Sequence, residues 1–156
     1  METKRELRPE TVRALQELIR VNLDSYKSLA LVVEATRDER LVRLFRQIAE
    51  QRKEFATQLG VHVIANDGAL SPEGQFLEEL HRWWIDITGK LERGNVQVVL
   101  EEAARGEAAL ESAYARIMTE TVGSAVSDVL DVQYRAINET SRRIRDLLAK
   151  VEHGCE

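Results

Sequence analysis

The residue of this sequence best placed to do chemistry is Glu107, because it interrupts an apolar stripe. The stripe has the period of a helix and consists of Val96, Leu100, Ala103, Glu107, Leu110, Tyr114 and Ile117. A buried carboxylate loses its hydration and needs a metal ion or a paired cation. A metal ion would indicate a di-metal carboxylate protein, and a paired cation would indicate a metal-free protein with a polar core. Glu107 alone does not decide between the two.

Polar residues also interrupt the other three predicted apolar stripes, at a similar depth. Residues equally far from the turn of an antiparallel helical hairpin lie side by side, which places Asn22 beside Arg52. The same argument places Glu107 beside Thr140 or Ser141. We therefore predict a core polar layer that contains a buried ion pair between Arg52 and Glu107. The predicted layer consists of Asn22, Tyr26, Arg52, Glu107, Tyr114, Gln133 and Ser141, with Thr140 as the alternative to Ser141.

Most ligands of a di-iron centre are missing from this layer. A di-iron carboxylate bundle takes one Glu from each of two helices and a Glu-x-x-His pair from each of the other two. None of the four long helical segments contains such a pair, and the three histidines (His62, His81 and His153) lie outside the predicted core. Arg52 would also repel a metal cation, so we expect no cofactor. The alternative is a di-iron site, whose candidate ligands are Glu107, Glu50 or Glu54, and Glu17 or Asp24.

The elements that must position these residues are four long helices and one short helix, because apolar residues recur with a helical period. Pro9 and Pro72 occupy positions typical of a helix start, and Asp38 is a suitable N-cap. Gly60 is the predicted end of the second helix. The predicted helices cover residues 9–36, 39–59, 72–89, 96–122 and 125–151.

Short links join the long helices in pairs, so each pair is expected to form an antiparallel hairpin. The stretch between the pairs, residues 61–95, is long enough for a crossover that carries the short helix. A four-helix bundle with one long crossover has the ferritin-like arrangement. We therefore predict an all-α, ferritin-like four-helix bundle of two antiparallel hairpins joined by a long crossover with a short fifth helix. Residues 1–156 form a single domain in this prediction.

The composition limits the partners and the location of the protein. A net charge of −5 with a pI of about 5.4 argues against a general nucleic-acid binder, since that function needs a basic face. No apolar run approaches the roughly 20 residues that span a membrane, and residues 1–6 lack the apolar core of a signal peptide. The single cysteine, Cys155, allows no internal disulfide. We therefore expect a cytoplasmic protein without nucleic-acid or membrane partners.

Several segments resemble a known family. They are residues 18–27 (LIRVNLDSYK), 44–45, 51–56 (QRKEFA), 80–84 (LHRWW), 101–107 (EEAARGE), 133–134 and 143–145. Over roughly residues 10–148 the chain is similar to an uncharacterised bacterial family of ferritin-like four-helix-bundle domains, which is related to rubrerythrins. The resemblance implies a small bacterial helical bundle and assigns no activity to it.

Within this resemblance, Glu107 and Tyr114 are spaced like the Glu-x6-Tyr ligand motif of rubrerythrins. The corresponding position on the first helix holds Asn22, so the motif is not repeated there. Gln51 and Ser141 stand where the family tends to have Glu and His. Both departures remove possible metal ligands.

Two adjacent tryptophans, Trp83 and Trp84, are the candidate interface residues. Neighbouring residues on a helix point about 100° apart, so one tryptophan is expected to pack on the bundle and the other to contact a second copy in a homodimer. The sequence contains no phosphate-binding loop, nucleophile elbow or catalytic triad pattern. We therefore predict no catalytic residue.

The sequence leaves three function classes open. The first is a non-enzymatic bundle with a metal-free core, acting as a stress-associated or structural interaction protein that forms a homo-oligomer. The second is a di-iron protein that handles iron, peroxide or oxygen, and the third is a carrier of a small molecule or lipid between the hairpins. Whether a metal, an arginine or an elongated cavity surrounds Glu107 distinguishes these classes.

Overall fold

The computed structural model describes residues 2–68 and 96–154. Within these ranges the chain forms four α-helices and no β-strand, which confirms the all-helical prediction. The helices are α1 (Pro9–Ala35), α2 (Glu39–Ala65), α3 (Val96–Glu120) and α4 (Ser127–Glu152). None of these four is both long and apolar enough to cross a lipid bilayer. Most of the predicted crossover, its short helix, Trp83 and Trp84 lie outside the described residues.

The second helix does not end at Gly60, which corrects the predicted boundary. Gly60 is buried inside α2, and the helix continues to Ala65. Continuing it buries Val63 completely against the core, and this packing outweighs the weak helix propensity of a glycine. The helix ends where Asp67 adopts a positive φ of 57°. His62 therefore belongs to α2 and not to a crossover.

The turn between α3 and α4 is longer than predicted. Gly123 has a φ of +80°, which permits the chain to reverse. The side chain of Ser124 accepts a hydrogen bond from the backbone N–H of Val126 at 3.1 Å. Ser124 therefore stabilises the turn, and α4 starts at Ser127 instead of at residue 125.

Two apolar clusters fill the bundle, and polar side chains lie between them. The lower cluster, nearer the α3–α4 turn, includes Leu15, Leu18, Leu59, Ile117, Leu130 and Ile137. The upper cluster, nearer the α1–α2 turn, includes Leu29, Val32, Phe45, Ile48, Leu100 and Ile144. Each cluster draws on all four helices, as expected for a four-helix bundle.

The two clusters also define the helix directions. The C-terminal halves of α2 and α3 both contribute to the lower cluster, so these two helices run in the same direction. Short turns join α1 to α2 and α3 to α4, which makes each pair an antiparallel hairpin. It follows that α2 ends at the opposite end of the bundle from the one where α3 begins.

The residues before α1 close the lower end of the bundle. Arg8 precedes the helix and has no side-chain cap of its own. Glu2 supplies the acceptor instead, because its Oε2 accepts from the Arg8 backbone N–H and from the Thr11 hydroxyl, both at 2.8 Å. Its Oε1 accepts from the backbone N–H of Ala125 at 2.8 Å. One carboxylate thus ties the start of α1 to the α3–α4 turn.

Candidate functional site

A buried ion pair lies between the two apolar clusters. The Nη2 of Arg52, on α2, donates to Oε2 of Glu107, on α3. The Thr140 hydroxyl, on α4, accepts from the same Nη2 at 2.8 Å and donates to the same Oε2 at 2.7 Å. The side chains of Arg52 and Glu107 are 0% and 3% exposed. Three helices therefore meet at one group of charge-assisted hydrogen bonds, which are stronger than bonds between neutral groups.

A second hydrogen-bonded chain crosses the bundle one or two turns lower. The Asn22 amide, on α1, donates to the Tyr114 hydroxyl, on α3, at 2.8 Å. That hydroxyl donates to Oε1 of Gln133, on α4, at 2.7 Å. The Gln133 amide then donates to Gln58, on α2, at 3.0 Å. Each side chain in this series donates to the next one. The series therefore links all four helices in one alignment.

Burial shifts the pKa of one side chain in each of these two hydrogen-bonded groups. Desolvation lowers the pKa of Arg52, and the charge of Glu107 opposes this shift. Burial raises the pKa of Tyr114, while its hydrogen bond with Asn22 acts in the opposite direction. Tyr114 therefore stays protonated and can donate to Gln133, and Arg52 keeps its positive charge beside Glu107.

Several buried polar atoms of this layer have no hydrogen-bond partner. Nε and Nη1 of Arg52 and Oδ1 of Asn22 are closed off from solvent and unpartnered among the described residues. An unpartnered buried donor or acceptor costs about 1–3 kcal/mol. The layer is therefore not optimised for stability alone, which marks it as the candidate functional site.

Two predicted members of the polar layer lie outside its hydrogen bonds. Tyr26 is half-buried and packs against the upper cluster, with Nζ of Lys53 5.5 Å from its ring centroid. Ser141 is buried, but the hydroxyl that meets Arg52 and Glu107 belongs to Thr140. Neighbouring side chains on a helix point about 100° apart. The Thr140 hydroxyl therefore faces the ion pair, and the Ser141 hydroxyl points in a different direction.

The alternative metal ligands are not brought together. Glu50 and Glu54 are exposed on α2, whereas Glu107 faces the bundle interior. Glu17 forms an ion pair with Arg116. Across residues 2–68 and 96–154, no group of three or more His, Cys, Asp or Glu side chains has an arrangement that could hold a metal ion.

A cavity of about 460 Å³ lies between α1 and α3, beside the ion pair. Its lining includes Glu107, and also residues outside the predicted polar layer. Small residues recur at every third position, as Ser25 and Ser28 on α1 and as Ala103, Gly106 and Ala109 on α3. This spacing puts small side chains on one face of each helix. The pattern alone does not predict a cavity, because small residues on facing helices equally allow close packing.

Comparison with known proteins identifies a family without assigning an activity. The model of a family described as a domain of unknown function, DUF2383, matches residues 10–120. These residues include α2, α3 and all of α1 except Pro9, and with them Asn22, Arg52, Glu107 and Tyr114. No curated protein and no solved structure matches the chain.

Proposed function

We propose that this chain, which belongs to the DUF2383 family of domains of unknown function, is a non-enzymatic bundle with an internal ion pair in place of a metal centre. The proposal includes a ferritin-like architecture, a distant relation to rubrerythrins and a bacterial, cytoplasmic setting. One observation carries it. The guanidinium of Arg52 is bonded to Glu107 and Thr140 in the middle of the core.

Charge is the physical reason why this arrangement favours a metal-free core. Two like unit charges 4 Å apart repel by roughly 4 kcal/mol near a protein surface, and a divalent ion beside Arg52 would be repelled more strongly. A di-iron centre needs several carboxylates to neutralise its cations. Glu107 is the one carboxylate that is buried within the described part of the chain. Arg52 already bonds to its Oε2, so this single carboxylate is far short of the ligand set of a di-iron centre.

Metal analysis tests this part of the proposal. The protein is purified without chelators, incubated anaerobically with ferrous iron and desalted, and its iron content is measured. We expect no stoichiometric iron in the wild type, in Glu107→Gln or in the control Glu139→Gln, which alters an exposed carboxylate on α4. Two irons per chain that are lost in Glu107→Gln but kept in Glu139→Gln would establish the di-iron alternative. The full chain is needed, because the Glu78-x-x-His81 pair of the sequence lies outside the described residues.

A role in protein interaction, structural or stress-associated, is the second part of the proposal, with self-association as its simplest form. Large apolar side chains on the outside of the bundle support it. Val61 and Ile64, one turn apart on α2, are 61% and 62% exposed, and Val132 on α4 is 64% exposed. Contiguous exposed apolar side chains, such as Val61 and Ile64, are typical of surfaces that bind another protein.

Light scattering coupled to size exclusion tests self-association. We expect the wild type to elute as a dimer, and the double variant Val61→Lys with Ile64→Lys, or Trp84→Ala, to shift it towards the monomer. Ala108→Lys, at an exposed position on α3, is the matched control. A wild type that is monomeric at all concentrations would contradict self-association and leave only a different protein as partner.

A further inference from the structure

The cavity between α1 and α3 has the size of a small-molecule site. Its volume of about 460 Å³ falls within the roughly 300–1,000 Å³ of typical ligand pockets. Apolar side chains make up much of its lining, among them Val21, Leu29, Val32 and Leu110. Such a lining favours a ligand with an apolar body, because binding removes apolar surface from water on both sides.

Glu107 supplies the polar end of this cavity. Its side chain is only 3% exposed, yet it forms part of the cavity lining. Oε2 of Glu107 accepts hydrogen bonds from both Arg52 and Thr140. Oε1 of Glu107 has no hydrogen bond to any described residue. A carboxylate oxygen accepts hydrogen bonds and cannot donate one. A ligand that satisfies Oε1 must therefore carry a hydrogen-bond donor.

The charges around the cavity favour a cationic donor. The lining contains the carboxylates of Asp24, Glu102 and Glu107 and the guanidinium of Arg105. Nη1 of Arg105 donates to Oε1 of Glu102 at 2.6 Å, so this guanidinium is already paired with one of the three carboxylates. The residues that line the cavity therefore carry more negative than positive formal charge. An anionic head group would be repelled here, and a cationic one would be attracted.

We propose that this cavity binds a small amphiphilic amine, with its apolar body between α1 and α3 and its ammonium group on Oε1 of Glu107. Arg52 and Thr140 hold the Glu107 carboxylate in place for this contact through its other oxygen. The inference goes beyond the proposed function, since it gives the bundle a specific small-molecule ligand. The head group is recognised by charge and hydrogen bonding, and the body by apolar contact.

Three probes with six carbon atoms each and different head groups test the ligand class. n-Hexylamine, 1-hexanol and hexanoate are titrated at pH 7 into the isotopically labelled full chain, and the backbone amide shifts of Ser25 and Gly106 are followed by NMR. We expect hexylamine to bind at least about tenfold more tightly than hexanol, equivalent to about 1.4 kcal/mol, and hexanoate to bind most weakly. Equal binding of the three probes, or tighter binding of hexanoate, would overturn the proposal.

A variant that occupies the cavity tests its location. A Cβ built on Gly106 meets nothing within 4 Å, so Gly106→Leu adds bulk to the lining without a clash at that atom. We expect it to weaken hexylamine at least about tenfold. Ala108→Leu, which adds three carbon atoms at an exposed α3 position outside the lining, is expected to keep the wild-type affinity. Unchanged affinity in Gly106→Leu would place binding elsewhere and refute this site.

The role of Glu107 is tested separately, because its substitution can also disturb Arg52. Folding of Glu107→Gln is first checked by circular dichroism. In the folded variant we expect the preference for hexylamine over hexanol to disappear, while hexanol still binds. A folded variant that keeps the full amine preference would show that another group receives the ammonium ion. If Glu107→Gln does not fold, the affinities for hexylamine and hexanol are compared in Glu102→Gln and Asp24→Asn instead. If both variants keep the preference for hexylamine, Glu107 remains the group that receives the ammonium ion.

Discussion

The guanidinium of Arg52 on α2 and the carboxylate of Glu107 on α3 form an ion pair that joins the two helical hairpins inside the core. Thr140 bonds to both partners, so the pair is held from a third helix as well. Buried pairs of this kind add little stability over apolar packing, but they are costly to break. We therefore expect the pair to contribute more to the alignment of the hairpins than to the free energy of unfolding.

Breaking the ion pair on one side should destabilise the protein strongly. Glu107→Leu leaves the positive charge of Arg52 buried without its partner, and we expect a loss of about 3–5 kcal/mol in the free energy of unfolding. The double variant Arg52→Met with Glu107→Leu should recover most of this loss, because no buried charge remains. Urea denaturation of both single variants and the double variant measures the coupling. Additive losses would contradict the pairing.

Removing the Tyr114 hydroxyl should also be costly. Tyr114→Phe leaves the Asn22 amide and Oε1 of Gln133 without the group that joins them. We expect a loss of about 1–3 kcal/mol, the usual cost of unsatisfied buried polar groups. Tyr134→Phe, at a half-buried position on α4, is the control and should change stability by less than about 0.5 kcal/mol. Thermal and urea unfolding of the two variants provide the comparison.

Acid should release the Glu2 contacts at the lower end of the bundle. Slight burial acts to raise the pKa of Glu2, but hydrogen bonds from Arg8, Ala125 and Thr11 lower it below its ordinary value of 4.5. Because the folded-state pKa is the lower one, the stabilisation is complete above about pH 4.5 and is lost as the pH falls through the folded value.

The pH dependence of Glu2→Gln checks this. At pH 7 we expect the variant to be less stable than the wild type by about 1 kcal/mol or less, as for a side-chain cap near solvent. The difference should shrink as the pH is lowered from 7 to 3. The exposed carboxylate of Glu6 provides the control, since Glu6→Gln should leave the stability at pH 7 unchanged. A constant difference for Glu2→Gln would refute the assigned contacts.

Two glycines should respond oppositely to alanine. Gly106 lies inside α3 with open space where a methyl group would be added, so Gly106→Ala should stabilise the protein by about 0.5–1 kcal/mol through better helix propensity. Gly123 has a φ of +80°, which an alanine adopts only with strain, and Gly123→Ala should destabilise it by about 1 kcal/mol or more. Differential scanning calorimetry of the two variants distinguishes the outcomes, and equal shifts would contradict the backbone assignment.

The helices could be predicted from the sequence because each depends on a local pattern of apolar residues. The period places Asn22, Arg52 and Glu107 on inward faces, and the structure buries all three. The end of α2 could not be predicted locally, since the burial of Val63 carries the helix past Gly60. The choice of Thr140 over Ser141 depends on a rotation of about 100°, which is set by how α4 packs on its neighbours.

The cavity could not be predicted from the sequence pattern of each helix alone. Its volume depends on how far apart α1 and α3 stand, and that separation follows from the packing of all four helices. Small residues on the facing surfaces of two helices normally allow the helices to approach closely. Here Ser28 and Gly106 instead line open space, which no periodicity could reveal.

The division of the polar layer between the hairpins has a consequence for how this protein can evolve. The first hairpin contributes Asn22, Arg52 and Gln58, and the second contributes Glu107, Tyr114, Gln133 and Thr140. A substitution at one of these positions in one hairpin leaves a buried polar group of the other hairpin without its hydrogen-bond partner. The positions in the two halves of the gene are therefore constrained together. Descendants of this chain should therefore inherit Arg52 and Glu107 together or lose them together, and recombination between diverged copies should fail when the breakpoint separates them.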